Sequence, residues 1–134
     1  MTLLRDADDG TAVVVCNTCR FSAEERETPD GVRGGALLAA ALREAATGSG
    51  VAIQEMPCLF NCAQHCSIHL RAPGKIGYVL GRFEPTAEAA RAIVDYAVAY
   101  AASDEGVVPY RQWPEGVKGH FIVRVPPTGK LVGD

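Results

Sequence analysis

The residues of this 134-residue chain best suited to chemistry are its five cysteines: Cys16, Cys19, Cys58, Cys62 and Cys66. The first two form a C-x2-C pair, residues 20–57 intervene, and the rest follow as C-x3-C-x3-C. An odd count excludes complete internal disulfide pairing. Thiolates are soft ligands that select zinc, copper(I) or iron–sulfur clusters. Two groups far apart in sequence, each at chelate spacing, read as one metal site assembled by folding. Structural zinc favours x2 or x4 knuckles, so the x3 spacing is less typical of it. Four thiolates suit a [2Fe-2S] or a [4Fe-4S] cluster. Two plainer readings stand beside this one. Cys16, at the end of an apolar run, is also a small hydrophobe that a core would accept. Cys16 and Cys19 are also spaced as a redox dithiol, a reading that leaves Cys58, Cys62 and Cys66 unexplained.

Other polar residues add less. His65 lies between two cysteines, either as an imidazole ligand or as a surface group tuning the site through a hydrogen bond. His69 alternates with Ile68 and Leu70 and is expected on the outer face of a strand; His120 is assigned no role. Arg20, Arg71 and Lys75 either surround the cysteines with positive charge or form a solvated rim. Asp30-Gly31 and Gly34-Gly35 lack a phosphate-loop pattern, and no Ser-His-Asp arrangement is readable. A carrier or metal-binding protein is expected rather than a stand-alone enzyme.

These cysteines need a scaffold. Residues 11–15 are an unbroken apolar run, expected as a strand covered on both faces and ending at Cys16. Residues 21–32 are polar and read as a loop. Ala36, Leu37, Ala40, Ala41 and Glu44 recur at helical spacing, widened by Leu38 and Leu42, and Gly48-Ser49-Gly50 ends that helix. Residues 51–56 form a second strand, stopped by Pro57 before the second cysteine loop. A hairpin follows, 67–71 and 76–80, turning at Pro73-Gly74. Glu84-Pro85-Thr86 opens a long helix with Ala90, Ile93, Val94, Ala97 and Ala101 on one side. The tail, 107–134, carries Trp113, expected to cap the core or a partner face, and a strand candidate at Phe121–Val125. The first two strands are expected to be parallel, joined by a crossover. Both cysteine loops follow strand ends, at Val15 and at Met56, and parallel neighbours bring those ends to one sheet edge, where open α/β sheets place their sites.

Composition is consistent with one domain spanning 1–134, with 107–134 as a C-terminal extension. Apolar residues make up 48%, charged residues 22%, and the net charge is -3. That balance argues against nucleic acid as partner. No apolar stretch is long enough for a membrane span, and Met1 to Gly10 lacks a signal-peptide layout. A cytoplasmic protein is expected.

The order of elements and the phrase Cys58-Leu59-Phe60-Asn61-Cys62 resemble the thioredoxin-like [2Fe-2S] ferredoxins. The resemblance implies an α/β thioredoxin-like ferredoxin fold: a mixed sheet of about four strands with two main helices. It also implies a [2Fe-2S] cluster held by Cys16, Cys19, Cys58 and Cys62, single-electron transfer to a redox partner protein, and a homodimer. The first pair is spaced x2, shorter than in those ferredoxins, and Cys66 is additional. Cys66 is therefore either a further ligand, a redox thiol or a packed residue; a [4Fe-4S] cluster on Cys58, Cys62 and Cys66 and a zinc site are the alternatives. The chain also resembles a bacterial family of predicted metal-binding proteins, domain of unknown function 1636. The residues are Val15 to Arg20, Cys58 to Cys66, Arg71 to Lys75, Tyr78 to Gly81 and Arg124 to Pro127. Genes of that family often lie near cobalamin-synthesis or metal-uptake genes. The second expectation is therefore a thiolate-based carrier of zinc, copper or cobalt serving a metal-handling partner.

Overall fold

The first strand, β1 (Ala12–Cys16), is buried along its whole length. A computed structural model of the chain, which describes residues 3–19, 25, 29, 31–61 and 64–133, gives the reason. β1 is interior to a five-stranded sheet, parallel to β2 (Ala52–Met56) and antiparallel to β3 (Ile68–Arg71). An interior strand with both faces covered has no use for polar alternation. β4 (Gly77–Leu80) pairs with β3, and β5 (Phe121–Val125) adds the far edge, giving the order β2-β1-β3-β4-β5. The mixed sheet with two main helices is the expected thioredoxin-like α/β fold. The strand candidate in the tail supplies its fifth strand.

Sheet register divides the side chains into two rows. Val13 lies level with Ile53 and Leu70, and Val15 with Ile68. These share one hydrophobic core with Leu38 and Leu42 of α1 (Gly34–Ala45) and Ile93, Ala97 and Tyr100 of α2 (Ala87–Ala102). On the other face Val14 lies between Gln54 and His69. His69 takes the outward position expected of it. Burial, with the Arg71 charge second, lowers its affinity for a proton.

The α1 face differs from the expected one. Leu38, Ala39 and Leu42 are buried, whereas Ala40 and Glu44 are exposed. The stripe is rotated by about one residue because the helix start, Gly34-Gly35, is itself pressed against the sheet edge. A Cβ on Gly35 would lie 1.9 Å from the Cys16 carbonyl oxygen. α2 begins after Pro85, where Thr86 caps it by accepting the Ala89 amide at 3.1 Å. Tyr96 and Tyr100 extend its buried face beyond the alanines, and Ala101 is exposed. Tyr96 meets Tyr78, Trp113 and Phe121 edge-on or tilted, at ring separations of 6.4, 5.8 and 5.2 Å. Trp113 donates its indole N–H to the Val108 carbonyl at 2.8 Å. The tail aromatics thus bind β5 and residues 108–113 to α2. Among the described residues no helix is long and apolar enough to cross a membrane.

Candidate functional site

In the parallel register Cys16 lies level with Met56, so both cysteine loops leave the sheet side by side at one edge. Asn17 donates its amide to the Met56 carbonyl at 3.0 Å, extending the pairing one step into the loops. The Cys16–Cys19 turn closes with the Cys19 amide on the Cys16 carbonyl at 3.4 Å. The start of α1 docks behind it, with the Gly35 amide on the Cys19 carbonyl at 3.2 Å. The positive end of a 12-residue helix is thereby turned toward the cysteine turn, a placement that favours thiolate.

Thr18 joins the two loops. Its hydroxyl oxygen accepts the Cys58 amide at 3.2 Å and lies 3.8 Å from the Cys16 sulfur. The second loop bends sharply there. Cys58 and Phe60 both adopt left-handed backbone, with φ of 57° and 55°. Such backbone costs a non-glycine residue on the order of 1–2 kcal/mol. The bend lets the Phe60 amide donate to the Cys58 sulfur at 3.3 Å and leaves the Phe60 ring in solvent, 95% exposed. Ser67 ties down the end of this loop. Fully buried, it donates its hydroxyl to the Gln64 carbonyl at 2.8 Å, and its own carbonyl accepts the Cys16 amide at 3.2 Å.

Three sulfurs interact electrostatically in this corner. Cys16, Cys19 and Cys66 are buried, at 2%, 4% and 0% exposure. Cys16 is pulled down to about 5, first by the hydrogen bond that Cys19 donates to it, then by the Leu59 amide and Thr18, against the opposing effect of burial. Cys19 is pushed up, because its proton is the one shared and because it is buried. Cys66 is pushed up to about 11 by burial and by the neighbouring Cys16 charge. The pair therefore holds one thiolate at Cys16 and one retained proton on Cys19.

The expected site residues are thus distributed as follows. Cys16, Cys19 and Cys66 share one buried corner, and Cys58 is tied to it through Thr18. Cys62 lies outside the described residues, as does Arg20. Among the described residues no three His, Cys, Asp or Glu side chains are gathered as a metal-holding group. Arg71 and Lys75 do not surround the cysteines. Arg71 pairs with Ala12, at the opposite end of β1 from Cys16, and Lys75 donates to the Ala101 carbonyl at the end of α2, 2.7 Å away. The reason is strand direction: β3 starts beside the cysteines and runs away from them. Among the described residues Arg33 approaches the first cysteine turn, donating to the Thr18 carbonyl at 3.4 Å. His65 lies beside Cys66, and its Nδ1 is enclosed without a hydrogen-bond partner. His120 is structural, stacked on Phe83 at 4.3 Å and bonded through Nδ1 to the Gly81 carbonyl at 2.9 Å. The roles of Thr18 and Ser67 were not read from the sequence. Thr18 acts on a partner 40 positions along the chain, and Ser67, whose hydroxyl bonds within its own loop, meets Cys16 through its backbone carbonyl.

Sulfur donors of this kind are soft ligands that select zinc, copper(I) or iron–sulfur clusters. Cys16 is drawn toward its thiolate, amide N–H groups point at Cys16 and Cys58, and burial excludes water from the Cys16, Cys19 and Cys66 sulfurs.

No curated protein matches the chain. A thioredoxin-like [2Fe-2S] ferredoxin from Aquifex aeolicus has a similar structure, with a TM-score of 0.52 and 17% sequence identity, covering 92% of this chain and 100% of that one. At that identity the likeness establishes the fold. Residues 13–127, nearly the whole chain, match the family described as "Protein of unknown function (DUF1636)", and the chain belongs to that family.

Proposed function

We propose that the protein is a single-electron carrier of the cytoplasm, holding a [2Fe-2S] cluster on Cys16, Cys19, Cys58 and Cys62 and serving a redox partner protein. The observation that carries the reading is the convergence of two cysteine loops at one sheet edge, joined by Thr18 and supplied with amide donors. When bound, the cluster would supply a site that accepts and releases one electron. The chain's residues do the rest. Cys16 offers a thiolate without a proton to displace. The Leu59 and Phe60 amides and the Thr18 hydroxyl stabilise negative charge on sulfur, and Ser67 and Gly35 fix the loops so that little reorganises when charge changes. The fold shared with the Aquifex aeolicus ferredoxin supports this reading, as does the lack of any recognised catalytic arrangement in the sequence.

One observation favours a second reading. Cys16 and Cys19 form an ionised thiolate beside a protonated thiol, the arrangement of a dithiol that exchanges with disulfides. Single serine substitutions separate the two. A cluster protein loses iron and colour in Cys58→Ser or Cys62→Ser and keeps both in Cys66→Ser. A dithiol protein keeps its disulfide-exchange activity in all three and loses it in Cys16→Ser. Loss of the cluster in Cys66→Ser would overturn the ligand assignment.

A further inference from the structure

We infer that the Nδ1–H of His65 donates a hydrogen bond to a sulfur of the bound centre and raises its reduction potential; the inference rests on the electron-carrier reading above. Nδ1 of His65 is enclosed from solvent and has no hydrogen-bond partner, a state found for no other side-chain nitrogen or oxygen among the described residues. Leaving such a group unmade costs about 1–3 kcal/mol, so a native fold retains one where a group outside the polypeptide completes it.

The surroundings identify that group. On one flank the Gln64 carbonyl accepts both the Arg82 amide at 3.1 Å and the Ser67 hydroxyl at 2.8 Å, and the Gln64 amide donates to the Asn61 carbonyl at 2.9 Å. The absence of a side chain at Gly81 admits this backbone, since a Cβ there would lie 2.5 Å from the Gln64 oxygen. On the other flank Cys66 is fully buried and interacts with the Cys16 and Cys19 sulfurs. His65 is therefore held in backbone next to the sulfur corner, with its Nδ1 enclosed. Five cysteines supply thiolate enough for four ligand positions, so the nitrogen is not needed on the metal. A donor to sulfur is the complementary role. It stabilises the more negative, reduced state and so raises the potential.

The test uses the full chain loaded anaerobically, as wild type, His65→Leu and His65→Gln. Iron and sulfide are quantified on each sample, the potential is read by spectroscopic titration, and pulsed electron paramagnetic resonance is recorded on reduced wild type labelled with ¹⁵N-histidine. His65→Leu should shift the redox equilibrium about tenfold toward the oxidised form, about 59 mV for one electron. His65→Gln, which keeps an N–H, should shift it less. The labelled wild type should show weak coupling to a histidine nitrogen, and this measurement decides the matter if His65→Leu fails to load. An unchanged potential in a fully loaded His65→Leu overturns the inference. So does coupling of the size that direct nitrogen ligation gives, or no coupling at all. Wild type that binds no iron or sulfide overturns the electron-carrier reading together with the inference, whereas a loaded wild type without the coupling overturns the inference alone.

Discussion

In the metal-free protein Cys16 should titrate far below an ordinary thiol, and Cys19 should be the main cause. The largest effect lowering Cys16 to about 5 is the hydrogen bond from Cys19, ahead of the Leu59 amide and Thr18. At pH 7 a group with a pKa of about 5 is about 99% ionised, against about 3% for a cysteine at the usual ~8.5. Cys19→Ala removes the main donor and leaves burial, which raises the pKa, opposed only by the Leu59 and Thr18 hydrogen bonds, so the ionisation step should move up by more than one pH unit. The assay is the ultraviolet absorbance of thiolate as a function of pH on reduced, metal-free wild type, Cys16→Ala and Cys19→Ala. Wild type should show one early step, Cys16→Ala none, and Cys19→Ala a later one. An early step that persists unmoved in Cys19→Ala would refute the shared-proton account. A wild type with no step below pH 7 would refute the geometry behind it.

The same groups set how stability of the metal-free fold depends on pH. Cys16 is more acidic folded than unfolded, so its contribution is fully present above the unfolded thiol pKa and is lost as pH falls through about 5. Cys66 has the opposite sign. Its contribution is present below the unfolded pKa and is lost as pH rises toward about 11. Urea midpoints should therefore rise between pH 5 and the ordinary thiol range and fall above it, and a flat profile would contradict both assignments. Thr18→Val removes the acceptor of the Cys58 amide and should cost about 1 kcal/mol in urea unfolding and speed metal loss to a chelator, while Thr18→Ser should match wild type; equal behaviour of Val and Ser would remove Thr18 from the account. Gly35→Ala places a Cβ within van der Waals overlap of the Cys16 carbonyl and should cost up to about 3 kcal/mol, read by the same denaturation; a neutral result would mean that α1 shifts freely.

The strand order around the cysteines was legible because its signals are local. The unbroken run at 11–15 marks an interior strand, and two strand-then-cysteine segments in parallel place their loops on one edge. What was not legible depended on contacts across the chain. Thr18 reads as one more polar turn residue until the Cys58 amide, 40 positions on, is seen to use it. The α1 stripe lies about one residue from the one its periodicity predicts, because periodicity gives the width of an apolar face and not the close approach of Gly35 to Cys16. Arg71 and Lys75 looked near the cysteines because they follow them in sequence, but β3 carries them to the other end of the sheet.

The central claim, a thiolate-held [2Fe-2S] cluster, is tested most directly by anaerobic purification with iron, acid-labile sulfide and zinc measured on the same sample. The account predicts iron and sulfide in equal amounts near two per chain, roughly the content of one such cluster. Zinc or another metal without sulfide would contradict it and turn attention to a metal carrier, and a metal-free chain with a reactive Cys16–Cys19 pair would contradict it in favour of the dithiol.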